Sequence, residues 1–335
     1  MNTVRLKDIA EACGVSIATV SRSLSREEVD SNSMAALIRR TAREMGYVPN
    51  AAAVTLKTCK SNNIGILYED QMDHEYFSSL LNDLRAEAGK RGYDITLIGS
   101  RGGVEQSTYY EHARRRNLDG VVVIQADFDS AEVIRLASSP MPTVVIDHAY
   151  DGCDCVSSDN KESMAQIVRY AWGRGHHRIA LITGEQGAVT RERLSGFYKA
   201  CAEMGIRVPE GSVVEGHFHE PEECADRILE LMEEPVCATC ILCPDDYSCL
   251  GALWRLKEQG VAIPQRVSLI GYDGIRTGQL LPPFLTTYRQ DTEAIAAEAV
   301  ALLSDAIENP ETHRAAHITV KGIMLEGDTV CEPYR

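Results

Sequence analysis

The stretch VRLKDIAEACGVSIATVSRSLS, residues 4–25, divides into two short helices around one glycine. Leu6, Ile9, Ala10 and Cys13 fall on one face of a first helix, and Gly14 ends it. Ser16 is a good N-cap for a second helix carrying Val20 and Leu24. Two helices joined by a tight turn make a helix-turn-helix, in which the N-terminal residues of the second helix reach base edges in the DNA major groove. Ile17 and Ala18 stand at that tip and offer apolar contacts, for example to a thymine methyl. Arg22, one turn on, suits guanine O6 and N7. Ser16, Thr19 and Ser21 carry hydroxyls fitted to phosphate oxygens, which fix register without reading sequence. An ordinary fragment of an all-α core shows the same two-helix pattern, so the reading needs support from elsewhere.

Charge supplies some of it. The 335 residues carry a net charge of −15, but residues 1–60 hold 9 Lys/Arg against 6 Asp/Glu, a net of +3. The other 275 hold 25 against 43 and are strongly acidic. A small basic head therefore precedes an acidic body. A third helix starts near Ser31–Ser33 and presents Met34, Leu37, Ile38 and Met45; Gly46 caps it and Pro49 stands just beyond.

From residue 63 the rhythm changes. Short apolar runs alternate with amphipathic stretches: 64–68 IGILY, 94–99 DITLIG, 120–124 GVVVI, 143–147 TVVID, 178–183 RIALIT, 238–243 ATCILC and 267–273 VSLIGYD. Val/Ile-rich runs separated by helices predict parallel strands with crossover helices, enough for two doubly wound lobes. Ligands of such sheets lie at the carboxyl ends of the strands. That rule picks out Asp147, Asp245, Asp246 and Asp273, with Arg191 after the 178–183 run and Tyr76, Phe77 and Phe218 as possible walls. Carboxylates, one arginine and aromatic faces suit a polyhydroxylated ligand.

The head is similar to that of the lac repressor family of bacterial transcription regulators. The resemblance continues through GYVPNAAAVTLKT (46–58), SNNIGIL (61–67), LDGVVVI (118–124), GHHRIALITG (175–184), RERLSGF (191–197), IPQRVSLIGYDG (263–274) and LTTYRQD (285–291). It implies an α/β chain with an all-α headpiece over 1–60, including a hinge helix near 50–58. A two-lobed, periplasmic-binding-protein-like effector and dimerisation domain would follow over 61–335. The N-subdomain would comprise about 61–160 and 290–320, the C-subdomain about 161–288 and 321–335. In the hinge, Leu56 matches a leucine that wedges into the minor groove, with Asn50 and Ala53 at its supporting positions. So short a helix is unstable alone and would fold only on DNA. The DNA contacts expected are Leu6, Lys7, Ser16, Ile17, Ala18, Thr19, Ser21, Arg22, Asn50, Ala53, Leu56 and Lys57. Those expected for the effector are Tyr76, Phe77, Gln125, Asp147, Arg191, Phe218, Asp245 and Asp273.

The chain departs from the family at several places. Thr55 and Lys57 stand where many relatives carry arginines, Asp245 where many have asparagine, and Glu326 and Asp328 where arginine and serine are usual. An ionised Asp245 cannot donate a hydrogen bond, which favours a cationic or donor-rich effector.

The resemblance implies a cytoplasmic homodimer that binds pseudo-palindromic operator DNA, with a sugar or sugar derivative as effector. A nucleobase, or a solute-binding protein without DNA function, is the alternative. No run of 18 apolar residues exists and the N-terminus is charged where a signal peptide needs an apolar core, so neither membrane nor secretion is expected. No apolar heptad tail precedes Arg335, so a dimer is expected rather than a tetramer. An enzyme is not expected: there is no GxGxxG after a strand, no Walker loop and no G-x-S-x-G. His176 and His177 read as a packed loop. No cofactor or metal is expected either. Cys237, Cys240 and Cys243 have metal-like spacing, but residues three apart on a strand point to opposite faces. The 11 cysteines read as reduced thiols.

Overall fold

The computed structural model describes residues 4–24, 33–48, 60–69, 74–99 and 108–333. The chain forms two compact units, one up to Ser61 and one from Asn62.

The first unit contains α1 (Leu6–Cys13), α2 (Ile17–Leu24) and α3 (Met34–Glu44). Gly14 adopts φ 67° after α1, a left-handed conformation that glycine takes without steric cost. The chain then turns at once into α2, where Ser16 Oγ accepts the Thr19 N–H at 3.1 Å. Ser33 caps α3 in the same way, accepting from the Ala36 N–H. Ile9, Val20 and Ile38, one from each helix, are fully buried against each other with Ala10 and Ala42. Each large side chain contributes about 2 kcal/mol by leaving water. The core is small, and three interlocking helices are needed to close it.

The second unit is two α/β lobes. In chain order it runs β1 (Asn63–Tyr68), α4 (Glu75–Lys90), β2 (Asp94–Gly99), α5 (Tyr109–Arg115), β3 (Gly120–Val123), α6 (Ala131–Ala137), β4 (Thr143–Ile146), β5 (Asp154–Ser158) and α7 (Asn160–Gly173). It continues β6 (Ile179–Thr183), α8 (Ala188–Glu203), β7 (Val213–Glu215), α9 (Pro221–Met232), β8 (Cys240–Leu242), α10 (Asp246–Glu258), β9 (Ser268–Asp273), β10 (Thr287–Arg289), α11 (Thr292–Glu308), β11 (His317–Val320) and β12 (Ile323–Leu325). One sheet has the order β11-β5-β4-β3-β1-β2, the other β12-β10-β9-β8-β6-β7. All pairings are parallel except β10 with β12. Strands such as Gly120–Val123 are buried along their whole length, because helices cover both faces of each sheet.

The chain passes between lobes three times: after β5, between β10 and α11, and between β11 and β12. α11 follows a strand of the second lobe, yet Ile295, Ala299 and Leu303 pack into the core of the first. The short strands β5, β7, β10, β11 and β12 were not among the apolar runs of the sequence. Cys240 and Cys243 enter different cores on opposite faces of the second sheet, and Cys237 precedes β8 with φ 48°.

Candidate functional site

On the head, Ser16, Ile17, Ala18 and Arg22 are exposed, and Ile17 is 49% accessible despite its apolar side chain. They form a contiguous surface because α2 buries Val20 and Ser23 and leaves its first turn outward. Thr19 is half-buried, its hydroxyl 2.9 Å from that of Ser16. Ser21 is half-buried. Leu6 packs against the head core, and Lys7 is exposed, 3.6 Å from Glu11. Asn50, Ala53, Leu56 and Lys57 lie outside the described residues.

Between the two lobes of the second unit is a cleft of about 810 Å³, within the range of small-molecule pockets. Strand ends and the loops after them build it. Gln125 follows β3, Asp147 follows β4, Asp273 ends β9 and Gln290 follows β10. Seven described non-glycine residues have positive φ, and four of them line this cleft: Gln125 (43°), Asp147 (65°), His219 (61°) and Asp273 (111°). Backbone strain of this kind concentrates at functional sites.

Tyr76, Gln125, Asp147, Phe218, Asp245 and Asp273 all line the cleft as the sequence suggested. Phe77 and Arg191 do not. Phe77 is one residue, about 100° of helix rotation, beyond Tyr76 on α4. It therefore points into the first lobe's core, with its ring 5.3 Å from Tyr68. Arg191 is exposed on α8; the arginine in the cleft is Arg193. Thr190, Arg193, Phe197 and Ala200 share the inward face of α8, spaced three and four apart, and Arg191 falls off it.

Arg193 is 9% exposed. Its Nε donates to Asn160 Oδ1 at 3.1 Å, its Nη1 donates to the Pro244 carbonyl at 2.8 Å, and the guanidinium lies 3.5 Å above the Tyr272 ring. Phe218 closes over Gly184, where a methyl group would come within 2.1 Å of the phenyl ring. Also at the cleft, and absent from the sequence expectations, are His74, His219, Tyr247 and Gln290. His74 and His219 belong to opposite lobes and stack at 3.9 Å between centroids. Gln290 bridges the lobes: its amide oxygen accepts from Ser158, and its Nε2 donates to Asp273 Oδ1 at 2.7 Å. Most of these residues come from loops without periodicity. Gln290 follows β10, a strand too short to stand out as an apolar run.

The carboxylates differ in state. Burial raises Asp147 to about 6, against the Ser158 N–H and the Arg193 charge, which pull it down. Burial raises Asp273 to about 7, with Arg193 again opposing. Asp245 is buried too, but the His219 hydrogen bond and charge, with the Ser248 and His219 amides, outweigh that and hold it low. It caps α10, accepting the Ser248 N–H and the His219 N–H. Asp246 faces away from the cleft, accepting from Thr287 Oγ1 at 2.6 Å and from the Ile275 N–H at 2.8 Å. His176 is buried with Nδ1 3.0 Å from Thr239 Oγ1 and lies outside the cleft.

A clasp joins the lobes beside the cleft. The Glu75 carboxylate, at the start of α4, accepts from the Arg276 N–H, the Thr277 N–H and Thr277 Oγ1 at 2.8, 3.0 and 2.6 Å. Glu75→Ala removes all three bonds. Ligand affinity, measured by titration calorimetry, is expected to fall about five- to tenfold as the lobes spend less time closed. Unchanged affinity would show that the clasp does not govern closure.

A DNA-reading head surface and a two-lobed ligand cleft on one chain define a ligand-responsive DNA-binding regulator. Residues 5–50 match the model of bacterial regulatory proteins of the lacI family, and residues 168–330 match that of a periplasmic binding protein-like domain. The HTH-type transcriptional repressor PurR of Escherichia coli O139:H28 (strain E24377A / ETEC) is 30% identical over 337 aligned positions, covering 98% of each chain. The lac repressor dimer bound to operator and the anti-inducer ONPF superposes with TM-score 0.82 at 22% identity, over 98% of this chain and all of that one. A complex of the transcriptional regulator CelR with cellobiose superposes with TM-score 0.70 at 23% identity, over 98% and 100%. The chain belongs to the lacI family of bacterial transcriptional regulators. It is a DNA-binding protein with an effector domain and not an enzyme. Among the described residues no helix is long and apolar enough to cross a membrane.

Proposed function

We propose that this chain is a cytoplasmic repressor that binds a pseudo-palindromic operator as a homodimer, and that a small polar molecule in the cleft changes its DNA affinity. The observation that carries the reading is the cleft itself. Asp147 comes from one lobe, Arg193 and Asp273 from the other, and Gln290 bonds to both, so a ligand touching these groups distinguishes an open from a closed pair of lobes. A ligand shifts such an equilibrium by its differential affinity for the two states, and DNA affinity shifts in return. Two-fold symmetry follows from reading a pseudo-palindrome with two heads. The exposed Leu280, Leu281 and Phe284 offer apolar surface for a partner copy. Phe218 and Tyr247, set among hydroxyl-binding carboxylates, favour a sugar or sugar derivative.

On the head, Ile17, Ala18 and Arg22 read bases, and Leu56 acts as the hinge wedge. Fluorescence anisotropy on a selected operator tests both. Arg22→Ala is expected to weaken binding by about 1–3 kcal/mol and to relax preference at one base pair. Leu56→Ala is expected to weaken it about tenfold or more, with the melting curve unchanged. Wild-type affinity in both variants would contradict the proposed mode of binding.

A further inference from the structure

We infer that the cleft is built for a cationic effector, a small polar molecule whose protonated amine is held between Asp147 and Asp273, one carboxylate from each lobe. The inference rests on the cleft being the effector pocket.

Among the described residues, seven carboxylates and one guanidinium line the cleft. Most of those acids already have work within the protein. Asp245 has donors on both oxygens, from Ser248 and His219, and Glu69 accepts from Tyr109 and from the Asp127 N–H. Asp147 and Asp273 are different. Each has one oxygen met by a neutral donor, the Ser158 N–H at 3.2 Å and Gln290 Nε2 at 2.7 Å. Among the described residues no donor meets the other oxygen and no cation lies within 4.0 Å of either group. Arg193 does not neutralise them by contact, because its bonds go to Asn160 and Pro244 and its face to Tyr272.

A second observation is independent of the acids. Tyr76 is only 9% exposed and lines the same cleft, yet among the described residues its hydroxyl has no hydrogen-bond partner. Buried polar groups are normally satisfied, so this one awaits a ligand atom. The charges of both Asp147 and Asp273 reach it and, after burial, hold the phenol protonated. A neutral ligand closing the cleft would leave two carboxylates enclosed without a counter-charge, which is costly. An ammonium group supplies that charge and donates charge-assisted hydrogen bonds to both.

The test uses the full chain and matched probes at millimolar concentration: D-glucosamine against D-glucose, and putrescine against butanediol. Melting temperature and calorimetry are read for each. At least one amine is expected to raise the melting temperature by several degrees while its neutral partner does not. Asp147→Asn and Asp273→Asn are close in shape to the native residues, and circular dichroism checks their fold. Each is expected to weaken amine binding about tenfold or more. Equal protection by the neutral partner overturns the inference and leaves the pocket reading standing. So does amine binding that survives both substitutions, or silence of both amines. If in addition a small-molecule extract of the cells fails to alter operator affinity, the effector reading itself fails.

Discussion

Replacing Arg193 by methionine is expected to lower effector affinity about a hundredfold and to cost the protein about 2–4 kcal/mol of stability. The guanidinium holds Asn160 Oδ1 at 3.1 Å and the Pro244 carbonyl at 2.8 Å, and it covers the Tyr272 ring at 3.5 Å. Methionine fills part of the volume and leaves those acceptors unmet in a buried place. Loss of Arg193 also removes the only guanidinium of the cleft lining among the described residues, so Asp147 and Asp273 rise further. Lysine does not rescue it, because a point ammonium cannot span two acceptors and stack on a ring together. Arg191→Ala is the control. Arg191 is exposed two residues away, and its removal is expected to change neither quantity. Calorimetric titration and denaturant melts of the three variants decide the matter. An Arg191→Ala effect as large as that of Arg193→Met would place the wrong arginine in the cleft.

The second large effect is on pH dependence. Asp147 and Asp273 titrate at about 6 and about 7 in the folded protein and near 3.8 when exposed. The native state therefore binds more protons than the unfolded chain between those limits. The stability contributed by protonated Asp147 and Asp273 is present in full below about pH 4. It is lost as pH rises through 6 and then 7. Shifts of this size correspond to about 3 and 4 kcal/mol, as upper values that water in the cleft reduces to about 2 each. Arg193 opposes the shift at both sites, Glu192 adds to it at Asp147, and at Asp273 the Asp245 charge adds to it while His219 opposes it. The ligand-free protein should lose stability from pH 5 to pH 8, and the double Asp→Asn variant should show a flatter curve over this window. A wild-type curve equally flat would mean that these acids are well solvated and carry no stored charge.

The longer strand runs and the helix-turn-helix were legible because each has a period or a cap. Val121, Val122 and Val123 alternate with nothing polar, and Gly14 and Ser16 fix the turn in the head. Asp147 and Asp273 were legible because strand ends are where such sheets bind. Arg191 lies nearer the strand than Arg193, but nearness to the strand does not show which face of α8 turns inward. Thr190, Phe197 and Ala200 mark that face and select Arg193. Phe77 stands about 100° of helix rotation from Tyr76 and turns into the first lobe's core instead of the cleft. His74 with His219, and Glu75 with Thr277, were beyond reach. Each pair joins segments far apart in the chain, and only the packing of two lobes brings them together.

The central claim is that one chain couples base reading in its head to a ligand in its cleft. Selection and sequencing of genomic fragments bound by the purified protein, with and without a small-molecule extract of the cells, tests it most directly. The account predicts enrichment of a pseudo-palindrome whose recovery the extract changes. A folded dimer that enriches no sequence at low salt, or one whose enrichment is indifferent to the extract, would contradict it.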